Sequence, residues 1–353
     1  MLHYQRTFGL PALKGNNWAQ YTFHYSLGPI AYRPLTNTLI VHGHNSFPEV
    51  AEISIPGGMM SSLIGDWFDP SQGEIIARKA QLHDDIRLYA MWIDEDDRMF
   101  CGIAQYYNVA LNNDPPFFWW DLRFGKRSEM WGGGTEAPEL QLSRWVTRLS
   151  PMVSKWCGKR YGGGCTTSQG VSGSSYGPNL YFFDLPDFFE PGGTINTDLA
   201  FRYSSKSPWL DYYPSWEVNA GMSLPDEMLW VGRRGLGDTT LKVPNQPTMD
   251  GSRWYGEPVQ TFATSEGGAV QIKDTQNPYH GYHSTIYRPV YWSLSNSDLI
   301  NGNLIFKEVD LSPYLKEPGA RLMATYDWIH NRVFILEAKG SGDQPLIHIF
   351  DVV

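Results

Sequence analysis

Arg233 and Arg234 follow the apolar run Leu229-Trp-Val-Gly232, and further along stand Tyr279-His280-Gly281-Tyr282-His283 and Tyr287-Arg288. A guanidinium that clamps a carboxylate, with an imidazole and a phenol to take and return protons, is a set suited to abstracting a proton α to a uronate carboxylate. Arg233, His283 and Tyr287 are therefore the catalytic candidates for a propeller polysaccharide lyase, with Arg234 and Tyr282 beside them as ligand-binding candidates. All of them come from one stretch of chain. The plain alternative is that Arg and Tyr cap strand ends while the histidines sit in a solvent loop.

His42 and His44 alternate along or just after one strand and so share a face, which suits two metal ligands. A third ligand would have to come from Glu49, Glu52 or His83-Asp84-Asp85, and none stands at ligand-like spacing. No metal and no cofactor is expected. Asp66, Glu136, Asp238 and Glu337 are carboxylates that a glycosidase could use, but no spacing pairs them. The glycine runs Trp131-Gly-Gly-Gly134 and Gly162-Gly-Gly164 do not continue as a phosphate loop and read as bulges or tight loops near an axis. Thr166 to Ser175 lacks the Gly-x-Ser-x-Gly of a nucleophile elbow and reads as a flexible binding loop. Cys101, Cys157 and Cys165 are odd in number and have no CxxC spacing, so buried free thiols are expected. The acidic run Asp94-Glu-Asp-Asp97 reads as a solvated turn.

Aromatic side chains supply the binding candidates. Trp209, Tyr212, Tyr213 and Trp216 lie between Pro208 and Pro214 or beside them, without strand periodicity, where exposed rings could stack on a sugar or anchor a partner. Phe117-Phe-Trp-Trp120 reads instead as strand core.

Positioning such residues falls to many short strands. Phe, Trp and Tyr make up 14% of the 353 residues and charged residues 18%, with 35 Gly and 24 Pro. That balance excludes a coiled coil, a helical repeat array and a disordered chain. A net charge of −9 without a basic run excludes the footprint of a nucleic-acid binder, and no apolar stretch is long enough for a membrane-spanning helix. The beginning of the sequence lacks the basic-then-apolar pattern of a signal peptide, so synthesis in the cytoplasm is expected.

A repeated unit organises the strands. Ile30 to His42, followed by Val50 to Pro56, matches Ala324 to Leu336, followed by Leu346 to Val352. Tyr32 matches Tyr326 and Asn37 matches Asn331, each 294 residues apart. A third copy, Ala90 to Cys101, places Trp92 at the Tyr position and Asp97 at the Asn position of the hairpin turn, where positive φ is tolerated. A fourth begins at Ala220 and resumes at Arg288 to Leu294. A fifth runs from Arg148 through Tyr161-Gly-Gly-Gly-Cys165 to Asp184. Outer strands are expected at Glu74–Arg78, Leu199–Tyr203 and Leu304–Glu308, and a one-turn helix at Ser312 to Pro318.

Repetition of small antiparallel sheets predicts an all-β chain folded as one β-propeller over residues 1–353, with five blades preferred and six or seven open. The N-terminal segment His3 to Phe8 would complete the last blade, so that N- and C-terminal strands close the ring. A long loop insertion is expected at about 233–287.

The runs GPIAYRPLTNTLIVHGH, EVAEISIP, SSYGPNLYFFDLPD, LWVGRRGLGD, GYHSTIYRPVYWSLSNSDLI and MATYDWIHNRVFILEAKGSGDQPLIHIFDV resemble a family of uncharacterised bacterial and phage-metagenome propeller-like proteins. The resemblance implies the fold and carries no assigned activity. This sequence departs from the secretory leader of many such proteins, and the resemblance to phage-encoded members implies a protein exposed on a virion as a tail, fibre or decoration component. The expected function is recognition or structural, binding a surface polysaccharide or a protein partner. The alternative is a propeller lyase or glycosidase acting on an acidic glycan.

Overall fold

In Thr38–His42 every residue is buried, so this strand is covered on both faces. Leu39 and Val41 pack on residues near the end of the chain, while Ile40 packs on Ile86, Leu88 and their neighbours. Alternate side chains of one strand thus serve two different interfaces, which is why the apolar runs are continuous rather than alternating.

The computed structural model describes residues 1–11, 20–82, 86–105, 116–133, 144–164, 179–202, 217–235, 256–264, 267–274, 280–283, 287–317 and 319–353. Five four-stranded antiparallel sheets form the blades of a five-bladed β-propeller. From the axis outward, blade 1 is Ile30–Arg33, Thr38–His42, Val50–Ser54 and Leu63–Phe68. Blade 2 is Ile86–Ile93, Arg98–Gln105, Phe117–Asp121 and Lys126–Arg127. Blade 3 is Trp145–Arg148, Tyr161–Gly164, Asn179–Phe183 and Thr197–Arg202. Blade 4 is Glu217–Ser223, Glu227–Gly235, Tyr287–Ser295 and Lys307–Asp310. Blade 5 is Leu322–Asp327, Arg332–Ser341 and Gln344–Val352, and its outer strand is Leu2–Gly9 from the start of the chain. The inner strands lie side by side in a closed ring. One apolar cluster fills each of the five interfaces between neighbouring blades.

The repeated Tyr and Asn have a joint physical role. Asn37, Asp97 and Asn331 take positive φ (53°, 61° and 55°) at the first hairpin turn of blades 1, 2 and 5. Tyr32 Oη donates to Asn37 Oδ1 at 3.3 Å, and Tyr326 Oη donates to Asn331 Oδ1 at 2.6 Å, so the strand residue holds the turn residue in its left-handed conformation.

Several local expectations differ. Glu74–Arg78 belongs to an α-helix, Glu74–Leu82, and not to a strand. Its neighbouring β-branched pair favours a strand, but the Asp69 carboxylate accepts the Ser71 and Gly73 amides at the helix entrance, and Glu74 pairs with Arg78 one turn on at 2.7 Å. The outer strand of blade 1 is instead Leu63–Phe68. In blade 4 the outer strand begins at Lys307, not Leu304. Gly162 to Gly164 is a regular central strand rather than a bulge. Its glycines make room for neighbours: a Cβ on Gly163 would stand 2.9 Å from the Phe183 ring. Asp97 is buried, not solvated, because Arg33 of blade 1 donates to its carboxylate through Nε at 2.7 Å and to Glu52 through Nη1 at 2.6 Å. Between the second and third strands of blade 4 lie three further antiparallel strands, Gly256–Thr264, Gly267–Asp274 and His280–His283.

Candidate functional site

The five inner strands leave a cavity of about 480 Å³ along the propeller axis, within the roughly 300–1,000 Å³ range of small-molecule sites. At the side where the inner strands begin, each blade contributes one residue to the lining: Pro29, Tyr89, Arg144, Asn219 and Met323. Tyr89 and Asn219 reach this ring by the same device. Each is the extra residue at a register shift, between Leu88 and Ala90 and between Val218 and Ala220, and a bulge re-aims the side chain it carries.

At the opposite, hairpin side the lining is aromatic. Trp92 and Trp328 stack with centroids 6.3 Å apart, Trp328 meets Tyr32 edge-on at 6.0 Å, and Tyr326 adjoins them. Pro151, Pro225 and Arg148 on this side are exposed, so the cavity reaches the surface here. Between the two ends the wall is apolar, with Trp145, Met222 and Val146.

The polar groups of the inner ring are buried. Arg144 is 7% exposed, Tyr89 4% and Asn219 2%. The Arg144 guanidinium lies over the Tyr89 ring at 4.0 Å and donates through Nη1 to Asn219 Oδ1 at 3.4 Å. That contact turns the Asn219 amide so that Nδ2, buried and without a hydrogen-bond partner, remains as a donor. Trp145 Nε1 is a second buried donor without a partner.

Of the residues singled out from sequence, Arg233 and Tyr287 are brought together. They sit on the paired second and third strands of blade 4, with the Arg233 guanidinium 3.9 Å from the Tyr287 ring centroid. Arg233 Nη1 also donates to Gly319 O at 3.2 Å. Tyr287 borders a smaller cavity of about 210 Å³ with Arg288, Lys316 and Glu317. Arg234 pairs with Glu308 at 3.2 Å. The backbones of His283 and Tyr282 pair with Val270 and Gln271 in the sheet of the insertion, and their side chains lie outside the description. Trp209, Tyr212, Tyr213 and Trp216 lie outside the described residues, as do Glu136, Asp238 and Cys165.

His42 is buried under Gly28, neither ring nitrogen has a well-formed hydrogen bond, and burial pushes its imidazole down to about 4. His44 is half-buried, and its Nδ1 accepts from the Ser46 amide at 3.1 Å. Among the described residues no group of three His, Cys, Asp or Glu gathers as a metal site. Glu337 is fully buried and accepts the Lys316 and Glu317 amides at 2.7 and 2.6 Å, with His348 Nε2 at 2.8 Å from its other oxygen. Asp66 is exposed on an outer strand. Neither carboxylate lines the axial cavity.

The inner ring was missed in the sequence because its members share no residue type and no spacing motif. A signal existed: Tyr89, Asn219, Met323 and Pro29 each immediately precede a repeat beginning at Ala90, Ala220, Ala324 or Ile30.

No family model and no curated protein matches the sequence. Among solved structures the chain is distantly similar to a luciferin-regenerating enzyme, at 9% identity over 95% of this chain and 93% of that one, with a TM-score of 0.39. It is also similar to a glycosyl hydrolase from Bacteroides ovatus, at 11% identity over 99% and 94% of the two chains with a TM-score of 0.37. A third is an auxiliary nutrient binding protein from Bacteroides thetaiotaomicron, at 11% identity over 94% and 70% with a TM-score of 0.35.

Proposed function

We propose that this propeller is a recognition module that binds a glycan and seats a sugar residue in its axial cavity. The observation that carries the reading is the cavity's lining, an aromatic mouth at Trp92, Tyr326 and Trp328 leading to a few buried donors. Aromatic faces stack on the apolar faces of sugar rings, and convergent donors fix orientation. Hydrolysis of a glycosidic bond draws on a pair of carboxylates, and the described lining offers none. The arrangement favours holding a sugar over cutting it.

Calorimetric titration with a panel of mono- and oligosaccharides is expected to find a ligand whose affinity falls about tenfold, or about 1.4 kcal/mol, in Trp328→Ala. Circular dichroism checks that the variant remains folded. A panel without a binder, or a binder indifferent to this substitution, sinks the proposal.

A second reading, a polysaccharide lyase, draws on the contact between Arg233 and Tyr287 beside the smaller cavity. Its test is the ultraviolet absorbance of an unsaturated product during incubation with uronate-containing polysaccharides. No signal across the panel removes it.

A further inference from the structure

The inner ring of the axial cavity contains donors without matching acceptors. Arg144 carries the one formal charge among its five members, and its guanidinium meets a π face and an amide oxygen, with no carboxylate at ion-pair distance among the described residues. Asn219 and Trp145 are lining residues, and Asn219 Nδ2 and Trp145 Nε1 are buried donors without partners. A guanidinium nine-tenths buried and lacking a counter-ion destabilises the fold, and each unpartnered buried donor adds its own desolvation cost. Such a cluster is stabilised by a group that brings negative charge and several acceptor lone pairs into the same space.

We infer that the ligand of the axial cavity carries a carboxylate, received by Arg144 and Asn219; the inference rests on the reading of this cavity as a binding site. A carboxylate matches the planar fork of a guanidinium and has lone pairs to spare for the Asn219 amide. The remainder of the ligand would lie along Trp145, Met222 and Met323 toward the aromatic mouth. Tyr89, whose ring lies 4.0 Å from the guanidinium, positions the charge without neutralising it. An acidic sugar and a small organic acid both present this chemistry.

Titration of the full chain with glucuronate, glucose and benzoate distinguishes these sources. Binding of glucuronate or benzoate, weakened at least tenfold in Arg144→Met, is the expected result, and the acid that binds identifies the source. Asn219→Asp supplies an internal carboxylate beside Arg144 and is expected to lose acid binding as well. Stability of the ligand-free variants provides the readout that a merely structural role would not move in this direction. Arg144→Met should melt at or above the parent temperature and Asn219→Asp above it, because each relieves the unpaired charge. Glucose binding equally to parent and Arg144→Met would overturn the carboxylate assignment and leave the cavity reading standing. Failure of all three compounds to bind at millimolar concentration overturns the assignment, while the wider saccharide panel judges the cavity reading separately. A large fall in melting temperature in both variants would make Arg144 a structural strut and also overturn it.

Discussion

His42 ends the second strand of blade 1, where the bare backbone of Gly28 lies so close that an added Cβ would stand 2.1 Å from Nδ1. Burial holds the imidazole neutral, down to about 4 from the ordinary 6.5, with the Phe47 backbone opposing only in part. Above pH 6.5 the folded and unfolded chains both carry a neutral imidazole. Between pH 6.5 and about 4 the unfolded chain binds a proton that the folded chain refuses, so stability falls as pH falls through that window and then levels off. The full loss is about 3 kcal/mol. His44 is displaced in the same direction by burial and by neighbouring positive charge, and adds to the same slope. Urea unfolding of His42→Leu at several pH values is expected to show a shallower decline in stability by up to one proton. An unchanged slope would place the acid sensitivity elsewhere.

At the level of strands, Trp145 lies flat across the inner strand of blade 4 because residue 221 is glycine. A Cβ there would stand 2.5 to 2.7 Å from three atoms of the indole. The ring is packed in the cluster between blades 3 and 4 and cannot retreat cheaply. Gly221→Ala is therefore expected to cost about 1–3 kcal/mol by overpacking, read as a lowered urea midpoint, and to weaken ligand binding because both residues line the cavity. Stability unchanged from the parent would show that the indole can shift. The same strands explain what was readable in the chain. Tyr32 with Asn37 and Tyr326 with Asn331 recur because in blades 1 and 5 a tyrosine hydroxyl holds the left-handed turn residue, so those blades left matching letters at matching places, while in blade 2 Asp97 takes the same conformation beside Trp92 without one. The helix Glu74–Leu82 was hidden because its entrance is set by the Asp69 side chain and not by apolar periodicity. The axial ring was hidden for a further reason. A blade needs only an extra residue at that point, and Tyr89 and Asn219 satisfy that with unlike chemistry.

For the whole molecule, the decisive property is closure. In a linear stack of repeats an end unit can fray while the rest persists, but here each blade covers a face of both neighbours. Leu2–Gly9 seals the ring by pairing with Gln344–Val352, and its Phe8, 1% exposed, enters the cluster shared by blades 5 and 1. Thr7 Oγ1 meets His348 Nδ1 at 2.7 Å, and through His348 the buried Glu337 joins the same seam. Opening this seam uncovers apolar surface on blade 1 and on blade 5 at once, and blade 5 then loses its hold on blade 4. Phe8→Ala is expected to cost about 3–5 kcal/mol and to lower the stability of the ring as one unit. Near-ultraviolet circular dichroism, far-ultraviolet circular dichroism and amide exchange should give a single coincident transition at a lower urea midpoint, with blades 2 and 3 losing protection together with blade 5. Amides of blade 5 exchanging at a urea concentration where Phe100, Phe117 and Tyr181 remain protected would show that the blades melt independently and that closure couples them less than their shared clusters require.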